Sequence, residues 1–208
     1  MERNVDGVLL AAGLSSRAGT FKLEAELAGK PLLAWSLDVM SRVCQRVIVV
    51  AGSQAERIHG LVRGRPEVEF VLNERFALGM LTSVQAGVAR VRAPRFFLLP
   101  GDMPLVRAAV YRKLLAAGGL SAASPWGSSA ADIVVPACGG RRGHPVLFSS
   151  SLIPGILAEG LESSLAAFIR RRNSETVEVN DPGILADLDE MEDFDRIDAL
   201  LSAGSEDE

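Results

Sequence analysis

Short apolar runs alternate with stretches of helical periodicity along most of the chain, a pattern that predicts a mostly parallel α/β sheet. Strands are predicted at residues 5–11, 46–51, 68–72, 95–99, 133–137, 145–148 and 176–179. Helices are predicted at 31–43, 54–62, 82–91, 108–117, 150–157, 163–172 and 192–201. In the first helix Leu32, Leu33, Leu37, Met40 and Val43 recur at helical spacing, and Pro31 suits a first-turn position, where its missing N–H costs nothing. Residues 118–131 are rich in Gly, Ser and Ala without apolar periodicity and predict a mobile loop. No repeat and no linker divides the chain. The expectation is one domain over residues 1–203, followed by a disordered acidic tail at 204–208.

Composition narrows the function classes. The 208 residues are 48% hydrophobic and 23% charged, which excludes wholesale disorder. Lys plus Arg total 22 and Asp plus Glu total 26, so nucleic acid is not an expected partner. No stretch approaches the ~18 apolar residues of a membrane span, and the apolar run from Val8 to Ala12 is too short for a signal-peptide core. Cys44 and Cys138 have neither metal-ligand nor disulfide-framework spacing. Together these features predict a cytoplasmic protein with no membrane partner.

Ligands of parallel α/β sheets bind beyond the carboxyl ends of the strands, so chemistry is sought there. After the first strand come Leu10, Ala11, Ala12, Gly13, Leu14, Ser15, Ser16, Arg17, Ala18, Gly19, Thr20, Phe21 and Lys22. Small residues there let backbone N–H groups face an anion, Ser15 and Ser16 offer hydroxyls, and Arg17 and Lys22 bring positive charge. That set suits a triphosphate, although the glycine spacing is neither a dinucleotide fingerprint nor a Walker loop. Asp102, between Pro100-Gly101 and Met103-Pro104, follows the strand at 95–99 and suits Mg²⁺, which takes few carboxylates and completes its shell with phosphate and water. In Asp187-Leu188-Asp189, strand-like alternation would put both carboxylates on one side. On residue types alone, the first segment also reads as a plain strand-to-helix turn, the second as a turn aspartate, and the third as an acidic approach to a helix N-terminus. Asn73, Gly79 and Ser83 sit where a strand passes into a helix and suit a ribose or base, or simple helix capping. His144, in Gly143-His144-Pro145, is one of only two histidines, and a structural role suits it equally.

Taken in order, these segments resemble the molybdenum-cofactor nucleotidyltransferase family, most closely its cytidylyltransferase branch. The family pattern L-A-A-G-x-S-x-R-M-G-x-x-K is similar to Leu10 through Lys22, and G-M-x-x-S to Gly79 through Ser83. G-D-x-P resembles Gly101 through Pro104, G-H-P Gly143 through Pro145, and D-x-D Asp187 through Asp189. The chain departs from the pattern at Ala18, where the family has Met, and at Glu190-Met191, where it has Thr-Pro. The loop around residues 121–131 is also longer than the family pattern.

The resemblance implies a Rossmann-like three-layer α/β fold with a mostly parallel sheet. It implies transfer of CMP from CTP to the phosphate of the molybdenum cofactor, with pyrophosphate released. Arg17, Lys22 and Asp102 would be catalytic. Leu10, Ala11, Ala12, Gly13, Ser15, Ser16, Asn73, Gly79 and Ser83 would bind nucleotide, and His144 would lie on the acceptor side. Mg²⁺ is the implied cofactor, held by Asp102, Asp187 and Asp189. A molybdoenzyme or its maturation chaperone is the implied recipient of the product. Guanylyltransferase relatives carry Gly at the position of Ala12, whose methyl group would crowd a purine. The alternatives are another phosphorylated acceptor (an isoprenoid precursor, a sugar phosphate or phospholactate), GTP as donor, or a non-catalytic cofactor-binding module.

Overall fold

The computed structural model describes residues 4–13, 21–119 and 131–187. The helix expected at 192–201, the tail at 204–208 and most of the loop at 118–131 lie outside those residues. The strands are β1 (Val5–Ala11), β2 (Glu26–Leu27), β3 (Lys30–Pro31), β4 (Arg46–Ala51), β5 (Val68–Leu72), β6 (Arg95–Pro100), β7 (Ile133–Cys138), β8 (Arg141–Arg142), β9 (Val146–Ser149) and β10 (Ser174–Glu178). The helices are α1 (Leu32–Val43), α2 (Ala55–Val62), α3 (Met80–Val88), α4 (Ala108–Ala117), α5 (Ile153–Leu157) and α6 (Leu165–Arg170).

The main sheet runs β10-β7-β9-β6-β1-β4-β5, with β8 paired to the end of β7. β1 is parallel to β4 and β6, β4 to β5, and β7 to β10. β9 is antiparallel to both β6 and β7. The carboxyl ends of β1, β4, β5, β6, β7 and β10 therefore share one edge, and the start of β9 joins them. The chain goes outward from β1 through β4 to β5 and then crosses back to β6. The strand order reverses between β1 and β6, the switch point where sheets of this kind form a crevice.

Helices cover both faces, giving three layers. One core joins α1, α2 and α4 to the sheet through Leu33, Leu37, Met40, Val49, Phe97, Tyr111 and Leu114, all buried. The other joins α3, α5 and α6 through Val8, Val84, Phe96, Phe148, Ile156 and Phe168. Phe97 meets Tyr111 edge-on, with ring centroids 4.9 Å apart. At Gly87 the α3 backbone comes so near β1 that a Cβ would lie 2.5 Å from Val8 Cγ1.

Opposite the shared edge, β1 begins on a buried charge. Asp6 has no exposed surface. It accepts hydrogen bonds from Arg46 Nη2 (2.8 Å), Gln45 Nε2 (3.1 Å) and the backbone N–H groups of Arg92 (2.8 Å) and Ala93 (3.2 Å). Burial pushes its pKa up, but the Arg46 hydrogen bond and the other donors outweigh this and hold it below the ordinary value. One carboxylate thus ties β1 to the segments leading into β4 and β6.

Several elements differ from the sequence expectation at their ends. Pro31 is the N-cap of α1 and not its first turn, because it pairs with Glu26 in the β2–β3 hairpin. That hairpin turns on Ala28 (φ 49°) and Gly29 (φ 72°), and its strands are too short to register as a pattern. α3 starts at Met80, two residues early, because Gly79 (φ 111°) breaks the chain before it. The helix expected at 163–172 is shorter, with the Ser164 side chain capping it through Ala167 N–H (3.1 Å). The segment expected as one helix at 150–157 is a 3-10 turn followed by α5. Cys44 is buried and Cys138 is only half-buried. No described helix is long and apolar enough to cross a membrane.

Candidate active site

The loops after β1 and β6 meet at the switch point. Gly101 N–H donates to Leu10 O (2.8 Å), latching the end of β6 to the end of β1. A Cβ on Gly101 would lie 2.9 Å from Leu33 Cδ1 and 3.0 Å from Leu10 O, so a side chain there would have to push one of them aside. From below, the buried Ser36 hydroxyl donates to Met103 O (3.0 Å) and fixes the bend. Asp102 is thereby held at the sheet edge. Lys22 opens a 3-10 turn whose neighbours Phe21 and Leu23 are buried in the core, so its ammonium projects from an anchored backbone. Lys22 Nζ donates to Asp102 Oδ2 at 3.1 Å, with 15% and 28% of the two side chains exposed. Two residues eighty positions apart in the sequence form one ion pair at the switch point.

Beside β1, the chain after β4 comes very close. A Cβ on Gly52 would lie 2.8 Å from Ala12 O and 2.8 Å from Phe76 Cβ. Ala12 is buried there and Gly13 is exposed. Asn73, just past β5, is buried, and its amide is fully engaged. Nδ2 donates to Thr82 Oγ1 and Ser83 Oγ, both at 2.9 Å, and Oδ1 accepts from Arg75 N–H (3.0 Å). Asn73 braces the start of α3 and sets the loop carrying the exposed Gly79. No sequence signal separates this brace from a direct ligand contact.

On the other side of β6, His144 N–H donates to Ile184 O (2.9 Å) and Gly143 N–H to Pro136 O (2.9 Å). Burial pushes the imidazole below its ordinary pKa. The charges of Asp102 and Asp187, with a hydrogen bond to the Leu98 backbone, push the other way without prevailing. The balance favours the neutral imidazole, and its Nδ1 is buried without a partner among the described residues. Asp102, His144 and Asp187 share a neighbourhood in which both carboxylates act on the imidazole. Ser15, Ser16, Arg17 and Asp189 lie outside the described residues.

The donor set suits a hard divalent cation. Asp102 and Asp187 both act electrostatically on His144, and among the described residues no three His, Cys, Asp or Glu side chains form a complete cage. Magnesium-type sites use few carboxylates and leave positions for phosphate oxygens, so two carboxylates near the sheet edge fit that chemistry.

Sequence analysis did not find the residues that assemble this neighbourhood. Past β10, the turn Pro182–Leu185 lies between the two loops. Gly183 rests against Leu105 O and Ile184 O against Gly143, at separations where a Cβ would lie 2.4 Å and 2.2 Å away. Asp181 caps the turn through Gly183 N–H (3.0 Å) and accepts from Arg107 Nε (2.9 Å). Asp181-Pro182-Gly183 in the sequence is a turn signal, but nothing in it says which loops the turn joins.

A lysine–aspartate pair at a switch point is a place where a phosphate-bearing ligand and a cation can meet. The chain belongs to the family of the MobA-like NTP transferase domain, whose family model matches residues 7–177. It is 27% identical over 190 residues to the molybdenum cofactor cytidylyltransferase of Escherichia coli (strain K12), covering 91% of this chain and 93% of that protein. It is 30% identical over 142 residues to a probable molybdenum cofactor guanylyltransferase of Bacillus cereus (strain AH820), covering 68% and 65%. In fold it is similar to a Mycobacterium tuberculosis H37Rv protein crystallised as a manganese complex, with a TM-score of 0.71, 22% identity and coverage of 93% and 97%.

Proposed function

We propose that this nucleotidyltransferase transfers CMP from CTP to the terminal phosphate of the molybdenum cofactor and releases pyrophosphate. The observation that carries the reading is the Lys22–Asp102 pair at the β1/β6 switch point. The similarity to the Escherichia coli cytidylyltransferase along nearly the whole chain supports the choice of substrates.

The chemistry follows from these residues. An acceptor phosphate oxygen attacks the α-phosphorus, a new P–O bond forms, and the α–β bridging bond breaks. Its electron pair leaves with pyrophosphate. The attacking oxygen is already ionised at neutral pH, so no side chain has to remove a proton. The enzyme's work is to align the reactants and meet the negative charge that builds on the phosphoryl oxygens. Lys22, fixed by its buried neighbours, supplies a point charge beside the β1 loop, and Arg17 a second cation. Asp102 holds the ammonium until the triphosphate offers stronger acceptors. Asp102, with Asp187 and Asp189, would hold Mg²⁺, which when bound neutralises phosphate charge. The neutral His144 lies on the acceptor side of β6, where it can donate or accept a hydrogen bond without adding charge.

The test is pyrophosphate release with Mg²⁺ and CTP, GTP or ATP, with and without molybdenum cofactor. Release that requires the cofactor and favours CTP is expected. Triphosphate binding without transfer to the cofactor would overturn the acceptor, and a preference for GTP would overturn the donor.

A further inference from the structure

We infer that Asp181 is a positioning residue for the acceptor half of the site: by capping the turn Pro182–Leu185, it holds the His144 segment in register with the Asp102 loop. The inference rests on the reading of His144 as an acceptor-side residue.

The turn touches both loops by backbone contact. Toward β6, Gly183 lies against the Leu105 carbonyl, three residues past Asp102. Toward β9, the Ile184 carbonyl accepts the His144 N–H at 2.9 Å and lies flat against Gly143. Asp187 leaves the same turn two residues beyond its end. A four-residue 3-10 turn has little cohesion of its own, so its shape depends on its cap. Asp181 supplies that cap from a buried position, with Oδ1 accepting the Gly183 N–H at 3.0 Å.

The other carboxylate oxygen makes a different bond. Asp181 Oδ2 accepts from Arg107 Nε at 2.9 Å, but the arginine is 68% exposed. Water screens that pair, whereas the bond to Gly183 lies in the buried contact. The cap therefore carries the positioning, and the ion pair contributes little. The two bonds can be separated chemically. Asparagine at 181 keeps an oxygen for Gly183 N–H while losing the charge that faces Arg107. Arg107→Ala removes the pair and leaves the cap, and Asp181→Ala removes both.

The chain has two histidines, which makes a direct readout possible. His144 is joined to the turn, whereas His59 is exposed on α2 with its ring against Phe70. The experiment records imidazole ¹H–¹³C spectra of the full-length wild type, Asp181→Ala, Asp181→Asn and Arg107→Ala, with His59→Gln used for assignment. Steady-state kinetics follow with CTP and molybdenum cofactor. In Asp181→Ala the His144 signal is expected to move and the His59 signal to stay. The acceptor KM should rise about tenfold with the CTP KM unchanged, as a misplaced contact on one substrate demands. Asp181→Asn and Arg107→Ala should match wild type in both readouts.

An unmoved His144 signal in Asp181→Ala would overturn the inference. A fall in kcat with both KM values raised together would overturn it too, since that marks general loss of structure. Asp181→Asn as impaired as Asp181→Ala would show that charge and not the cap does the work. If the wild type transfers CMP to no acceptor, the proposed function fails, and the imidazole spectra still decide the role of Asp181.

Discussion

Replacing Asp6 with alanine removes four hydrogen bonds at the buried start of β1, and their sum can be worked out from their partners. The Arg92 and Ala93 N–H groups lose their acceptor, and a buried unpaired donor costs roughly 1–3 kcal/mol. Arg46 loses one carboxylate but keeps Glu69 Oε2 at 2.5 Å and Arg90 O at 2.7 Å, so its charge is not stranded. The expected loss is therefore about 3–4 kcal/mol, within the range for a broken buried ion pair. With an m-value of about 2–3 kcal/mol/M, the urea midpoint should fall by roughly 1–2 M. Asp6→Asn keeps an oxygen for the two N–H groups and should lose about half as much.

The pH dependence follows from the depressed pKa of Asp6. Its folded value lies below the ordinary 3.8, so the unfolded chain takes up the proton first as pH falls. The contribution of the charge is complete above about pH 4 and disappears as pH drops through the folded value. The gap between wild type and Asp6→Asn should be constant from neutral pH down to about 5 and close below 4. A loss under about 1 kcal/mol for Asp6→Ala, or a gap that widens in acid, would refute the reasoning. Turnover of folded Asp6→Asn at neutral pH should be unchanged, because the residue lies at the opposite end of β1 from the site.

Three further outcomes test the site. Lys22→Ala and Asp102→Ala should each lower the rate of pyrophosphate release by about 10²–10³, the usual cost of losing charge stabilisation at a developing oxyanion; rates near wild type would remove both from the mechanism. Ala12→Gly should bring the CTP and GTP specificity constants closer together, measured by competition in one reaction, and an unchanged ratio would leave the Ala12 methyl without a role in base choice. Gly143→Ala would put a Cβ 2.2 Å from Ile184 O and must push the turn away, so a loss of about 1–3 kcal/mol in urea unfolding is expected, together with a raised acceptor KM.

The elements that carry the fold were legible wherever the pattern is long and local. The predicted bounds of β1, β4, β5 and α4 match the structure, because β-branched or helically spaced apolar runs lie between clear breaks. The β2–β3 hairpin was not legible, since two-residue strands have no period. The early start of α3 depends on the positive φ of Gly79, which a glycine permits but does not announce. For the site, strand-end reasoning placed Lys22 and Asp102 at the same edge, and the structure pairs them. The reversed direction of β9, which places His144 beside them, comes from tertiary pairing and not from its own residues. Asn73 braces the start of α3 in the structure, a role that the sequence does not separate from a ligand contact, because a buried amide serves either purpose with the same residue type. Asp181 reads in sequence only as a turn residue, because Gly183 is its local partner while Arg107 and the loops that its turn touches, at Leu105 and Gly143, lie far away in the chain.

The reversed strand β9 also bears on how this architecture can change over evolution. A parallel neighbour for β6 would need a long crossover of about a dozen residues packed over one face, and any change in it would disturb a core. β9 instead returns from β7 through a tight turn at Gly139 and Gly140, both at positive φ, where the Gly139 N–H donates to Glu178 at the end of β10. Length can be added or removed at that turn without disturbing α1, α3 or the loops after β1, β4 and β5. One flank of the sheet is thus free to diversify while the flank built on β1, β4 and β5 stays fixed. A single scaffold built this way can keep its donor chemistry and exchange the molecules that receive it.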